Sequence, residues 1–262
     1  MFFGKNHLVL LVSIFWLSCG SSPKNLHVPA LFSDGMVIQR DTTVAIWGES
    51  IPETNIHLYP SWGKNITVKS DKDGRWKTLL ETTSDQKTHS LQIKSGKDKI
   101  FIKDILLGEV WLASGQSNME MDFDYCCNST DSAQQVLSND IFNNIRMFNV
   151  KKRYSLYPSS DIDGRWVKAV KDSIKPFSAV GYFFAKKLHN TIDVPIGIIH
   201  ASWGGTDVES WISKKNLKSI KKIEKRFITV QKIEKAKISE DWFSNLKQVK
   251  MPSAGFDLML GT

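Results

Sequence analysis

The sequence predicts an α/β protein in two parts, an N-terminal β-sandwich and then an α/β domain built on a parallel sheet. Three observations carry this. Residues 28–104 read as short β-type runs broken by turn residues, with no helix-length periodic segment among them. Beyond Gly108, helical and strand patterns alternate. The run "VPIGIIHASWGG" is apolar almost without interruption, as suits a parallel strand covered on both faces.

In the first part, "TVAIWGE", "NIHLYPSW", "KNITVKS", "GRWKTLLE", "HSLQIKS" and "KIFIKDILLGEVWLAS" follow one another between Pro, Gly and Asp clusters. A spacing of roughly ten residues per strand favours a sandwich. In the second part, "STDSAQQVLSN" opens with capping residues and reads as a helix, and "NIRMFNV" reads as a strand. "SAVGYFFAKKLHN" reads as a helix with Ser178 as N-cap and Val180, Phe183, Phe184 and Leu188 along one face. Strand, helix and strand in this order imply right-handed crossovers. Residues 214–238 form a further long helix, in which Leu217, Ile220, Ile223, Phe227, Val230 and Ile233 recur at three- and four-residue steps.

With 262 residues the chain is long enough for one large domain or two small ones, and its 41% hydrophobic and 24% charged content is that of an ordinary folded protein. Its nine Trp and fourteen Phe fit sheet-rich cores or sugar-facing surfaces equally. The net charge of +8 resides in residues 214–237, which hold ten Lys/Arg against two Glu. That helix reads as a solvated face rather than a patch for anionic glycans or lipid head groups. No basic stripe interleaves with aromatics elsewhere, so nucleic acid is not expected as a partner. At the start, Lys5 precedes "LVLLVSIFWLSC", an apolar run that fits a signal-peptide core. Cys19, followed by the polar "GSSPKN", resembles a lipoprotein cleavage site, so export with a lipid on Cys19 is favoured over plain secretion. The expected location is the periplasm or outer membrane. The adjacent Cys126 and Cys127 suit neither a mutual disulfide nor a metal site. "DKDGRW" at 71–76 and "DIDGRW" at 161–166 nearly repeat, but both lack the closing Glu of a calcium loop and read as Asp-Gly turns leading into Trp-bearing strands.

The stretch "GEVWLASGQSNMEM", residues 108–121, sets Ser117 between Gln116 and Asn118 directly behind a β-prone apolar run. Ligands of α/β sheets bind beyond the carboxyl ends of the strands, where Ser117 would lie. A strand-to-helix turn there also leaves backbone N–H groups free to hold an oxyanion. A second strand, "IGIIHA", ends in "SWGGT", whose glycines let a backbone N–H approach a substrate closely. A serine at one strand end and paired glycines at another suit acyl transfer. A plain strand-ending turn at Gln116-Ser117-Asn118 is the competing reading.

Together, "GQSNMEM", "FSAVGYFFAKKLH" and "VPIGIIHASWGGTDVESW" resemble the sialate O-acetylesterases of the SGNH-hydrolase superfamily, over roughly residues 27 to 213. "LFSDGMVIQRD" resembles that family's lead-in to its first sandwich. The resemblance implies a three-layer α/β/α hydrolase domain. It also implies removal of acetyl groups from sugar hydroxyls, typically those of sialic acid, without metal or organic cofactor. Acetylated sialic acid or a related glycan is the partner so implied. Ser117 matches the nucleophile. Its own N–H and a glycine of the Gly204-Gly205 pair, Gly205 being favoured, match the oxyanion-hole donors. Gln116, Asn118, Trp203 and Thr206 would shape the pocket, while Glu209 and Trp211 are structural or pocket-lining. The domain division that follows is anchor and linker in 1–26, sandwich in 27–104, the N-terminal part of the hydrolase domain in 105–213, and the basic helix with the start of an insertion in 214–262.

The family's downstream Asp and His, which would activate the serine, have no counterpart here. After Ser117 the histidines are His189, at a predicted helix end, and His200, which reads as a strand-end packing residue rather than a replacement base. The sequence therefore reads as the N-terminal part of a longer esterase, with impaired turnover by itself. A non-catalytic exported glycan-binding protein and an inactive fragment are the rival readings.

Overall fold

The computed structural model describes residues 25–126, 131–153 and 158–217. Cys19, Cys127 and most of the expected basic helix lie outside the described residues, as does the segment beyond it.

The first seven strands are β1 (Val37–Gln39), β2 (Thr43–Glu49), β3 (Asn55–Pro60), β4 (Ile66–Lys69), β5 (Arg75–Glu81), β6 (His89–Ser95) and β7 (Asp98–Gly115). Strands β2 and β5 pair antiparallel as a two-stranded ribbon. Strands β4, β3, β6 and β7 pair antiparallel in that order as the second sheet. Alternation does the folding: Ile56, Leu58, Leu91, Ile93 and Ile102 point inward onto Ile46, Trp76 and Leu80 of the ribbon, and their in-between neighbours face outward.

Strand β7 does not stop where the sandwich does. Its first part pairs with β6 up to Ile105, its middle pairs parallel with β1, and residues 109–115 pair parallel with a later strand. The run Ile105–Gly108 is buried throughout, because here the strand has protein on both faces. The expected boundary between residues 104 and 105 thus falls inside a continuous strand, at a point where Asp104 takes φ 56°.

After β7 come α1 (Ser117–Glu120), α2 (Phe123–Cys126), α3 (Asp131–Asn139), β8 (Ile141–Asn149), β9 (Trp166–Val170), α4 (Lys171–Ile174), α5 (Ala179–Ile192), β10 (Ile196–Ser202), a 3-10 turn Val208–Trp211 and α6 (Lys214–Leu217). Strand β10 lies between β7 and β8, parallel to both, and β9 closes that edge antiparallel. One face of this sheet, through Ile145, Met147, Ile196 and Ile198, packs on Val136 of α3, Ile174 of α4 and Tyr182 of α5. The other face, through Phe148, Trp166 and Ile199, packs on the chain from Leu26 to Ile38. Among the described residues, that N-terminal segment covers this face.

Helix α5 begins as expected, with the Ser178 hydroxyl accepting from Gly181 N–H at 3.0 Å. Its buried face, however, is not the expected Val180-Phe183-Phe184 stripe. Ala179, Tyr182 and Ala185 face the sheet, and Val180 is 51% exposed. Small residues let the helix sit close to Ala113 of β7, and the Tyr182 hydroxyl donates to Asp140 at 2.6 Å. Burial and that carboxylate push the phenol well above its ordinary range. Phe184 instead stands edge-on to Trp111, 5.1 Å between ring centres.

Arg146 fastens the two parts of the molecule. Its guanidinium is buried and holds Asp104 through paired bonds of 2.9 and 3.0 Å, while also donating to the Gly35 carbonyl. The Arg146 hydrogen bond holds the Asp104 carboxyl below its ordinary value. Removing one partner of a fully buried pair costs about 3–5 kcal/mol, and part exposure of Asp104 reduces this. Asp104→Ala is expected to lower the unfolding free energy by about 2 kcal/mol in urea titrations. Lys168→Ala, at 3.6 Å from the same carboxylate but half-exposed, is expected to change it by under about 0.5 kcal/mol.

Candidate functional site

The site forms where β7 and β10 end side by side. Their register runs in step from Ile196↔Glu109 to Ser202↔Gly115, and Trp203 N–H then donates to the Gly115 carbonyl at 3.0 Å. Both chains turn away from the sheet at the same level. Gly115 takes φ 149°, a conformation that side chains disfavour, and this swings Gln116 into the extended N-cap position of α1. Ser117 is thereby the first residue of the helix, exposed at the carboxyl rim of the sheet. Asn118 and Gln116 are exposed beside it.

The glycine pair sits directly opposite. A Cβ built on Gly204 would lie 3.3 Å from both Cα and Cβ of Ser117, so the two turns are in contact. Gly205 takes φ 78° and faces open space. The two glycines differ in their hydrogen bonding. Gly204 N–H donates to a carboxylate oxygen of Glu120, one turn of helix beyond Ser117, whose other oxygen accepts from Lys152. Gly205 N–H has no partner among the described residues. It is the donor left free for a ligand.

Trp203 and Thr206 form the adjoining wall. Thr206 is buried, its hydroxyl donating to the Trp203 carbonyl at 2.7 Å and accepting from Trp211 N–H at 2.9 Å. Lys152 lies over the Trp203 ring, 5.8 Å from its centre. These groups border a small cavity of about 180 Å³. Glu209 lies in the same 3-10 turn as Trp211.

His200 is buried one layer below. Its Nδ1 lies 2.6 Å from Asn149 Oδ1 and its Nε2 lies 2.5 Å from Ser202 Oγ. With Nδ1–H donating to the amide oxygen, Nε2 accepts from the hydroxyl, and both ring nitrogens are engaged. Phe177 stands edge-on to the ring. His189 is held at the end of α5 by the Val194 carbonyl. Among the described residues, no histidine or carboxylate hydrogen-bonds the Ser117 hydroxyl.

The sequence reading left out Glu120, Lys152, Asn149 and Ser202. Glu120 stands within "GQSNMEM" and Ser202 within "HASWGG", but nothing local says that the first will reach Gly204 or that the second will reach His200. Those contacts exist only once β7, β8 and β10 are in register.

Burial pushes the His200 imidazole below its ordinary value of 6.5; a backbone hydrogen bond at Met119 opposes this, and the Lys152 charge adds to it. A lowered histidine is neutral in the fold, so its contribution is intact above 6.5 and is lost as pH falls below that value toward the folded pKa. In an NMR titration of the imidazole protons, the His200 midpoint is expected below 6.5, and a midpoint at or above that value contradicts this site geometry.

Three comparisons bear on this arrangement. No protein-family profile matches the chain. The sialate O-acetylesterases of Homo sapiens and Pongo abelii are each 28% identical over 205 residues, covering 71% of this chain and 39% of theirs. The sialate O-acetylesterase of Rattus norvegicus is 26% identical over 230 residues, covering 81% of this chain and 42% of that one. The chain thus spans about two fifths of the length of these relatives. The crystal structure of a carbohydrate acetylesterase from Xanthomonas citri superposes with a TM-score of 0.68 at 35% identity, covering 73% of this chain and 43% of that one.

Proposed function

We propose, on the premise that the chain belongs to the sialate O-acetylesterase family of SGNH hydrolases, that it carries the nucleophile and oxyanion donors of a serine carbohydrate esterase acting on O-acetyl groups of sialic acid. The observation that carries this reading is the contact of Gly204 with Ser117, which brings the free Gly205 N–H to the turn that bears an exposed hydroxyl.

In the proposed reaction the Ser117 oxygen attacks the acetyl carbonyl, and the hydroxyl proton passes to a base. The carbonyl oxygen gains the electron pair and is held by the N–H groups of Ser117 and Gly205. Collapse breaks the bond to the sugar oxygen, which takes up the proton and leaves as a hydroxyl. Water then attacks the acetyl-serine, releasing acetate and restoring the serine. Gln116, Asn118, Trp203 and Thr206 border the position of the sugar. Glu120 keeps Gly204 N–H occupied, and Lys152 neutralises a carboxylate that would otherwise oppose the developing oxyanion.

The base is the part that the described residues do not supply. His200 is committed to Asn149 and Ser202, so turnover by this chain is slow. The proposal extends to the setting: the apolar run after Lys5 and the lipid site at Cys19 favour an exported, membrane-anchored esterase that meets glycans outside the cytoplasm.

Hydrolysis of p-nitrophenyl acetate and of O-acetylated sialic acid by the purified chain tests this. The expected rate is about 10³–10⁴-fold above water, the level left to oxyanion donors and positioning when triad members are missing, and because a triad acts as a unit Ser117→Ala is expected to change that rate little. A rate equal to that of a complete triad esterase, or one no higher than the rate in water, overturns the reading.

A further inference from the structure

Helix α1 carries the exposed Ser117 hydroxyl, yet it is a single turn of four residues. A helix that short has too few internal bonds to hold its own direction, so contacts outside it must do so. The Trp203–Thr206 turn across from it is better fastened. Trp203 N–H is bonded to the Gly115 carbonyl, and the Thr206 hydroxyl is bonded to the Trp203 carbonyl and to Trp211 N–H. Between those fastenings stand Gly204 and Gly205. Among the described residues, the hydrogen bond that joins them to α1 runs from Gly204 N–H to the Glu120 carboxylate.

Glu120 reaches three elements at once. It is the last residue of α1, and its two oxygens accept from Gly204, on the turn after β10, and from Lys152, just beyond β8. The fit leaves no spare room. A Cβ on Gly204 would come within 2.8 Å of the Glu120 oxygen and 3.3 Å of the Ser117 Cβ, so the carboxylate reaches this N–H only because residue 204 has no side chain. Gly205 follows at φ 78°, and whatever fixes Gly204 therefore also sets the direction of the Gly205 N–H. Ser117 and Glu120 open and close the same helical turn, so the hydroxyl and the donor are both referred to α1.

We propose that Glu120 is a positioning residue of the ester site, which fixes the spacing between Ser117 and the Gly205 N–H by holding the glycine turn against α1. This role presupposes that Ser117 and Gly205 act on one ester carbonyl. Glu120 itself touches no reacting atom. What the role requires is an oxygen that accepts from Gly204, and the negative charge is a liability beside a developing oxyanion. Lys152 offsets that charge, and its half-exposed ammonium also lies over the Trp203 ring of the same turn. Lys152 therefore matters to the reaction only while residue 120 is charged.

Two readouts on the full chain test this. In ¹H–¹⁵N spectra the Gly204 amide proton is expected far downfield, as suits a donor to a carboxylate, and is expected to move upfield in Glu120→Ala. In p-nitrophenyl acetate hydrolysis, Glu120→Ala is expected to lower kcat about tenfold to hundredfold while KM changes by less than about twofold. Glu120→Gln keeps an oxygen that can accept from Gly204 and is expected to recover most of that kcat. Lys152→Met is expected to lower kcat about threefold in the parent chain and not at all in the Glu120→Gln background, a comparison that stands even where Glu120→Ala does not fold. A wild-type rate no higher than water overturns the ester reading, and this role with it. A rate above water that Glu120→Ala leaves unchanged overturns the role of Glu120 alone. So does a Gly204 signal that stays in place, a lack of recovery in Glu120→Gln, or an equal effect of Lys152→Met in both backgrounds.

Discussion

The pairing of β7 with β10 is the constraint on which the rest of the molecule depends. Seven successive residue pairs hold the strands parallel and in step, so that both end at one level and their turns are released side by side. A serine on the first turn and a glycine pair on the second are separated by more than eighty residues of sequence yet pack in contact. Parallel strands put such turns at the carboxyl rim, where backbone N–H groups point outward and a side chain meets solvent. A one-residue slip would turn the faces of β10 over and carry His200 and Ser202 out of the core.

Strand β7 also fixes where that rim stands. Its first part is locked by β6 and its middle by β1, so the sandwich acts as the clamp that aims the last seven residues. Arg146 closes the clamp from the other side by reaching from β8 to Asp104, at the point where β7 passes from one sheet to the other. The sandwich and the site are therefore mechanically one object.

Much of this was legible in the residues. "KIFIKDILLGEVWLAS" reads as one uninterrupted run, and it folds as one strand; a division at residue 104 overlooks what the run itself says. The near-continuous apolarity of "IGIIHA" announces a strand with both faces covered, and Ser178 announces the start of α5. The face of α5 was not legible. Hydrophobicity favours Val180 and Phe184, but close approach to Ala113 favours small side chains, and a tyrosine can be buried once Asp140 accepts from its hydroxyl. The Glu120–Lys152–Gly204 chain and the Asn149–His200–Ser202 chain were equally out of reach, since each joins the ends of elements that only the register of the sheet brings together.

The proposed chemistry requires Ser117 and the glycine turn to act on one substrate oxygen, and a crystal structure of the chain after reaction with a fluorophosphonate examines that most directly. The expected result is phosphorus bonded to the Ser117 oxygen, with its phosphoryl oxygen accepting from the N–H groups of Ser117 and Gly205. An adduct on Ser202 or another serine, or a phosphoryl oxygen turned away from the N–H groups of Ser117 and Gly205, contradicts it.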